Sequence, residues 1–177
     1  GEDGYHLSDK VREVGDTYWN SPNTGATNEF GFNARGSGVR FGSNGNFSNK
    51  GAVMDLHINK DYISSTATYA IIAYNPNLIG QNWSSDGEID KKLGLSLRLL
   101  KDDSTLAQYT GNDGKTYNTV KIGNQVWLAE NLAETEYRDH SKISIVEDAT
   151  TWAGLTTGAM CAYDNDYTLV GCGETEP

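Results

Sequence analysis

The sequence predicts an α+β chain that is mostly β, with short strands, few short helices and long Gly/Asn-rich loops. Three observations point there. Gly is abundant (20 of 177 residues) and hydrophobic residues make up only 37%, a balance that favours polar turns over long helices. Several stretches alternate apolar and polar residues, the period of a half-buried strand. Two such stretches flank Gly123-Asn124, a pair suited to the positive φ of a two-residue hairpin turn.

The elements follow in chain order. Ser8 can cap a helix carrying Leu7, Val11 and Val14 at helical spacing, so a short helix is expected over residues 8–14, ended by Gly15. Residues 19–47 are too rich in Gly, Asn and Ser for long regular elements. Brief strands among loops are expected there, with Val39-Arg40-Phe41 and Phe47 as inward anchors. Residues 54–58 and 69–74 read as strands; Ala70, Ile71, Ile72 and Ala73 are apolar on both faces, which places the second centrally. In residues 93–100, Leu95, Leu97 and Leu99 alternate with Ser96 and Arg98, so the leucine face is expected inward. Residues 117–122 and 125–132 form the hairpin, with Trp127 packed behind it. Asp148 can cap a last short helix that places Trp152 and Leu155 on one side.

Acidic residues outnumber basic ones by 24 to 14, a formal charge of −10. Such a chain repels phosphate, which argues against nucleic-acid partners and anionic membrane surfaces. No apolar run approaches the roughly 20 residues of a membrane-spanning helix, so membrane insertion is not expected. The sequence opens on Gly1 without a signal-peptide pattern, which implies processing or a longer parent chain.

Two phrases carry a family resemblance. The run Trp19-Asn20-Ser21-Pro22-Asn23-Thr24-Gly25, continuing through Phe30-Gly31-Phe32, closely resembles a signature of the Fibrobacter succinogenes major paralogous domain. A second phrase, Asp113-Gly114-Lys115-Thr116-Tyr117 through Gln125-Val126-Trp127-Leu128-Ala129-Glu130-Asn131-Leu132, resembles the opening of the same domain. In the family the second phrase comes first; here the order is reversed. Residues 1–104 accordingly resemble the later half of such a domain, residues 105–111 a connector, and residues 112–177 the opening half plus a tail. Either the chain is one permuted compact domain, the reading preferred here, or it spans the junction of two consecutive domains. A short seam would let the 93–100 strand pair with the hairpin.

The resemblance implies a compact C-type-lectin-like fold in surface or secreted proteins of the Bacteroidota–Fibrobacter lineage and their phages. Residues 128–135 and the run Gly4-Tyr5-His6-Leu7 look most like the phage branch. The chain departs from the family in carrying Leu99 where a Cys is typical, and in lacking a Trp-rich stretch with a His-Val-Pro phrase. Cys161 sits where the family also has a Cys, so the family-type bridge is unavailable.

Catalysis is not expected: His6, His57 and His140 are scattered and no nucleophile, zinc or phosphate-loop motif is present. No cofactor or metal is expected either; the Asp164-Asn165-Asp166 run lacks the full calcium-loop pattern and reads as a turn, as does Asn112-Asp113-Gly114. Cys161 and Cys172 could close a hairpin as a disulfide or each be free.

Two regions are candidate recognition surfaces. One is the Gly-rich stretch with Arg40, Phe41 and Phe47; the other gathers Tyr62, Tyr69, Tyr74, Asn75, Asn77, Asn82 and Trp83. Aromatic faces stack on sugar rings while Asn and Arg fix hydrogen bonds to hydroxyls. The expected role is non-enzymatic: extracellular or virion-associated display, and attachment to a glycan or bacterial surface protein. The alternative is purely architectural, a subunit or cementing domain against neighbouring virion subunits or copies of itself. Expected locations are extracellular, on a bacterial surface or in a phage virion.

Overall fold

The computed structural model describes residues 4–58, 66–73, 89–101 and 108–169. Strands dominate, and the two α-helices among the described residues are short. The first helix, α1, runs Gly4–Val11, earlier than the capping pattern at Ser8 suggested. Ser8 instead lies inside it and donates its hydroxyl to the Ala73 carbonyl at 2.8 Å. The helix ends before Gly15 because the backbone beyond Val11 is taken by another partner. Ala34 donates to the Val11 carbonyl, and Glu13 donates to that of Ala34.

Two antiparallel sheets carry most of the order. In the first, β3 (Val53–Ile58) pairs with β4 (Thr66–Ala73), and β4 with β5 (Ile89–Asp90). The central place of β4 matches its apolar sequence on both faces. Ile72 packs on the main core, while Ile71 and Ala73 join Val53 on the other side. Ahead of this sheet, β1 (Val39–Arg40) and β2 (Phe47–Ser48) form a two-residue ladder.

The second sheet has the order β6-β9-β8-β7. Its heart is the hairpin of β8 (Thr116–Ile122) and β9 (Gln125–Leu128), in which Ile122 pairs with Gln125. The turn between them is the expected two-residue one, with Gly123 at φ 62°. The strand β6 (Leu100–Lys101) lies against β9, and β7 (Gln108–Thr110) against β8. The end of the 93–100 stretch therefore does pair with the hairpin, and part of the expected connector is an edge strand.

One expectation is overturned. Leu97 and Leu99 face outward, 42% and 37% exposed, and Leu95 is half-buried, whereas Arg98 is only 7% exposed. Arg98 faces inward because it meets acceptors from distant loops. It donates to the carbonyls of Phe32, Leu128 and Asn33 and to Asn131 Oδ1, all at 2.8–2.9 Å. Alternation alone shows that two faces differ, not which is buried.

The core is drawn largely from loops. Trp19, Phe32 and Ala34 are buried with Val11, Met54 and Leu56. Trp19 Nε1 donates to the Ala34 carbonyl at 2.9 Å, meeting the need of a buried indole for a partner. Trp127 is half-buried and meets Phe32 edge-on at 5.9 Å, so it closes this core from the hairpin side. The turn at Asn112 and Asp113 is fixed by Glu134, whose carboxylate accepts both backbone N–H groups. In return Asp113 accepts from Lys115 and from Thr135. Burial alone would raise the Asp113 carboxyl, but these donors hold it well below the usual carboxylate range.

The second helix, α2 (Ala149–Ala153), starts as expected at Asp148, whose carboxylate accepts from Thr151 N at 2.7 Å. The short strands β10 (Ser144–Ile145) and β11 (Ala159–Met160) pair in parallel beside it. Among the described residues, no helix is long and apolar enough to cross a membrane.

Candidate functional site

The β1–β2 ladder holds the clearest constellation. Its loop folds back because Gly45 (φ 70°) lets the chain approach α2; a Cβ there would lie 2.5 Å from Ala149 Cα. Only glycine tolerates both that backbone conformation and that approach. The loop carbonyls so gathered need donors, since buried unpaired acceptors are costly. Arg40 supplies them. Its Nε donates to Gly45 O (2.9 Å), Nη1 to Val146 O (2.5 Å) and Nη2 to Glu147 O (2.6 Å).

The guanidinium plane is also clasped by rings. Its carbon lies 4.3 Å from the Trp152 ring centroid and 4.6 Å from that of Phe47. Phe47 in turn meets Tyr163 at 5.1 Å, and the Lys50 ammonium stands 5.3 Å from the Tyr163 ring. The result is a row: Trp152, Arg40, Phe47, Tyr163, Lys50. At its inner end Trp152 is buried and donates to Lys92 O at 3.0 Å. At its outer end Tyr163 is half-buried and Lys50 exposed. Gly38 is required here as well, because a Cβ on it would lie 2.7 Å from Tyr163 Cε2.

These positions revise the sequence expectation. Arg40 is only 2% exposed, so it is a strut beneath the surface and not a ligand contact. Val39, as expected, is buried, but Phe41 is 38% exposed and so is no inward anchor. Phe47 pairs with Arg40 in the ladder while Phe41 follows Arg40 directly, which turns Phe41 to the opposite face. Of the second candidate cluster, Tyr69 lies on β4 opposite His57. Tyr62, Tyr74, Asn75, Asn77, Asn82 and Trp83 lie outside the described residues.

Sequence reasoning missed Lys50, Trp152 and Tyr163 as members of one site. The one available signal was an Arg flanked by aromatics in a Gly-rich stretch; Lys50 lies in that stretch, but Trp152 and Tyr163 come from more than 100 residues away, beyond the reach of local pattern. Cys161 is a free thiol, and Cys172 lies outside the described residues. Burial raises the Cys161 thiol, an effect partly offset by its hydrogen bond to Arg40. It is therefore a packed thiol and not an activated one.

Residues 164–166 form a turn with Asp164 (φ 52°) and Asn165 (φ 57°) left-handed. The Asp166 carboxylate accepts from Thr168 N at 3.0 Å and from its hydroxyl at 2.5 Å, contacts internal to the turn. Among the described residues, no three His, Cys, Asp or Glu side chains gather as a metal site.

Comparison of the chain with protein-family models, with curated proteins and with solved structures finds no match.

Proposed function

We propose that this chain is a non-enzymatic, lectin-like attachment module, displayed extracellularly or on a virion, that grips a glycan through the open end of the aromatic–cation row. The observation that carries this reading is the row itself. Its inner half is locked by Arg40, and its outer half offers the Tyr163 ring, the Lys50 ammonium and the edge of Phe47. A ring face and a nearby cation suit a sugar that bears a carboxylate or a dense set of hydroxyls. Loops positioned by a rigid frame are where binding surfaces concentrate. The likeness of residues 19–32 and 113–132 to the Fibrobacter succinogenes major paralogous domain supports the same reading, including its permuted order.

A second reading is architectural, a cementing subunit of a phage particle or extracellular assembly. It is favoured by the outward leucines, since Leu97, Leu99 and Leu100 are 42%, 37% and 44% exposed at the β6 edge. Glycan-array and whole-cell binding of the purified chain decide between them, with Bacteroidota cells tested with and without their capsular polysaccharide. Capsule-dependent binding that falls about tenfold in Lys50→Gln and in Tyr163→Ala is expected, because each removes one favourable contact of order 1 kcal/mol. Absence of binding, together with a concentration-dependent oligomer in sedimentation, would favour the architectural reading.

A further inference from the structure

The face of β3 opposite the main core holds an unusual group. Asp55 is 8% exposed, and its Oδ1 is buried without a hydrogen-bond partner among the described residues. The strand cannot turn to release it, because both its edges are occupied. Asp55 pairs with Ile71 on β4. On the other edge Ser96 donates to the Asp55 carbonyl at 2.9 Å, and His57 donates to that of Ser96 at 3.1 Å.

The surroundings are apolar. Val53 and Ala73 are buried beside it, with Ala52 and Ile71 packed on them. The bridge Leu56↔Ser96 puts Leu95 at the register position next to Asp55. The titratable group on this face, among residues whose side chains are described, is His57 two residues along. Burial also favours the uncharged form of His57, so it is a poor counter-ion for a carboxylate.

We propose that Asp55 is a proton-binding site built into β3, which makes the folded chain more stable in mildly acidic surroundings than at neutral pH. A carboxylate in an apolar setting without a cation or donor is penalised, whereas the neutral acid is not. Burial accordingly raises the Asp55 carboxyl to about 6, from an ordinary 3.8. The sign follows from proton counting. Between those two values folded Asp55 binds more protons than unfolded Asp55, so its contribution to stability is full below about pH 4 and declines as pH rises to 6. A shift of that size corresponds to a roughly 100-fold change in the folding constant. His57 acts in the opposite sense. Its lowered value withdraws stability as pH falls below its ordinary 6.5.

Urea unfolding of the wild type and of Asp55→Asn, each from pH 4 to pH 7.5, separates the two groups, because His57 is present in both. The ratio of their folding constants should shift by roughly 100-fold in favour of Asp55→Asn across that range. A ratio constant with pH would overturn the proposal. Should the variant fail to fold, carbon-detected titration of the Asp55 carboxyl in the wild type gives the answer directly. A midpoint near 6 supports the proton site; a midpoint in the ordinary carboxylate range removes it.

Discussion

Arg40→Met should lower the stability of the chain by about 3–5 kcal/mol, a large part of what a single domain possesses. Methionine fills much of the same volume between Phe47 and Trp152 but donates nothing. The carbonyls of Gly45, Val146 and Glu147 then lose the donors that Arg40 now gives them. Each such loss costs about 1–3 kcal/mol where water cannot reach, less where it can. Arg40→Lys keeps the charge but not the planar fork, so it should recover only part of the loss. Thermal melting reads the effect as a fall of roughly 10–15 °C for a chain of this size. On the proposed function, glycan affinity should fall as well, since Phe47 and Tyr163 lose their support. A melting point within a degree or two of the wild type would show that these carbonyls find other donors.

Arg98→Leu is the second large effect, again about 3–5 kcal/mol. Four acceptors depend on this one guanidinium, from the Phe32–Asn33 loop, from Leu128 at the end of β9 and from Asn131. Its carbon also stacks on the Phe32 ring at 4.6 Å. Burial pulls Arg98 down to about 9, still well above neutral, so the charge persists at pH 7 and strengthens those bonds. Leucine at this position would resemble its neighbours Leu97 and Leu99, and from sequence alone the change looks harmless. Unfolding in urea should instead show a much lower midpoint with an unchanged slope.

These two arginines mark where sequence reading stops. The hairpin at Gly123-Asn124 and the helix start at Asp148 were legible because their causes are local: a turn that needs positive φ, and a carboxylate that meets N–H groups three residues on. The central place of β4 was legible from its apolar residues on both faces. The inward turn of Arg98 was not, because its cause is a set of carbonyls up to 66 positions away. The same holds for α1, whose end is set by Ala34 pairing across the chain and not by the glycine that follows. The inward place of Arg40 agrees with its reading as an anchor, but as a ligand contact it is buried, and the aromatics that looked like a ligand platform are partly spent on holding it. Lys50 and Tyr163 became candidates only once the fold had placed them together.

The common thread is that long polar loops are held by buried guanidinium groups, each set against aromatic rings. Arg12 repeats the pattern at 1% exposure, donating to Asp9, Asn23 and Thr24 with Trp19 at 5.8 Å. Loops held this way should behave as core, and amide hydrogen exchange tests that most directly. The amides of Gly38, Phe41, Gly45, Gly51 and Gly94 all donate to backbone carbonyls at 2.7–2.9 Å. They are expected to exchange slowly, with protection close to that of β3, and to lose it selectively in Arg40→Met. Rapid exchange at these positions in the wild type, while β3 stays protected, would contradict the account.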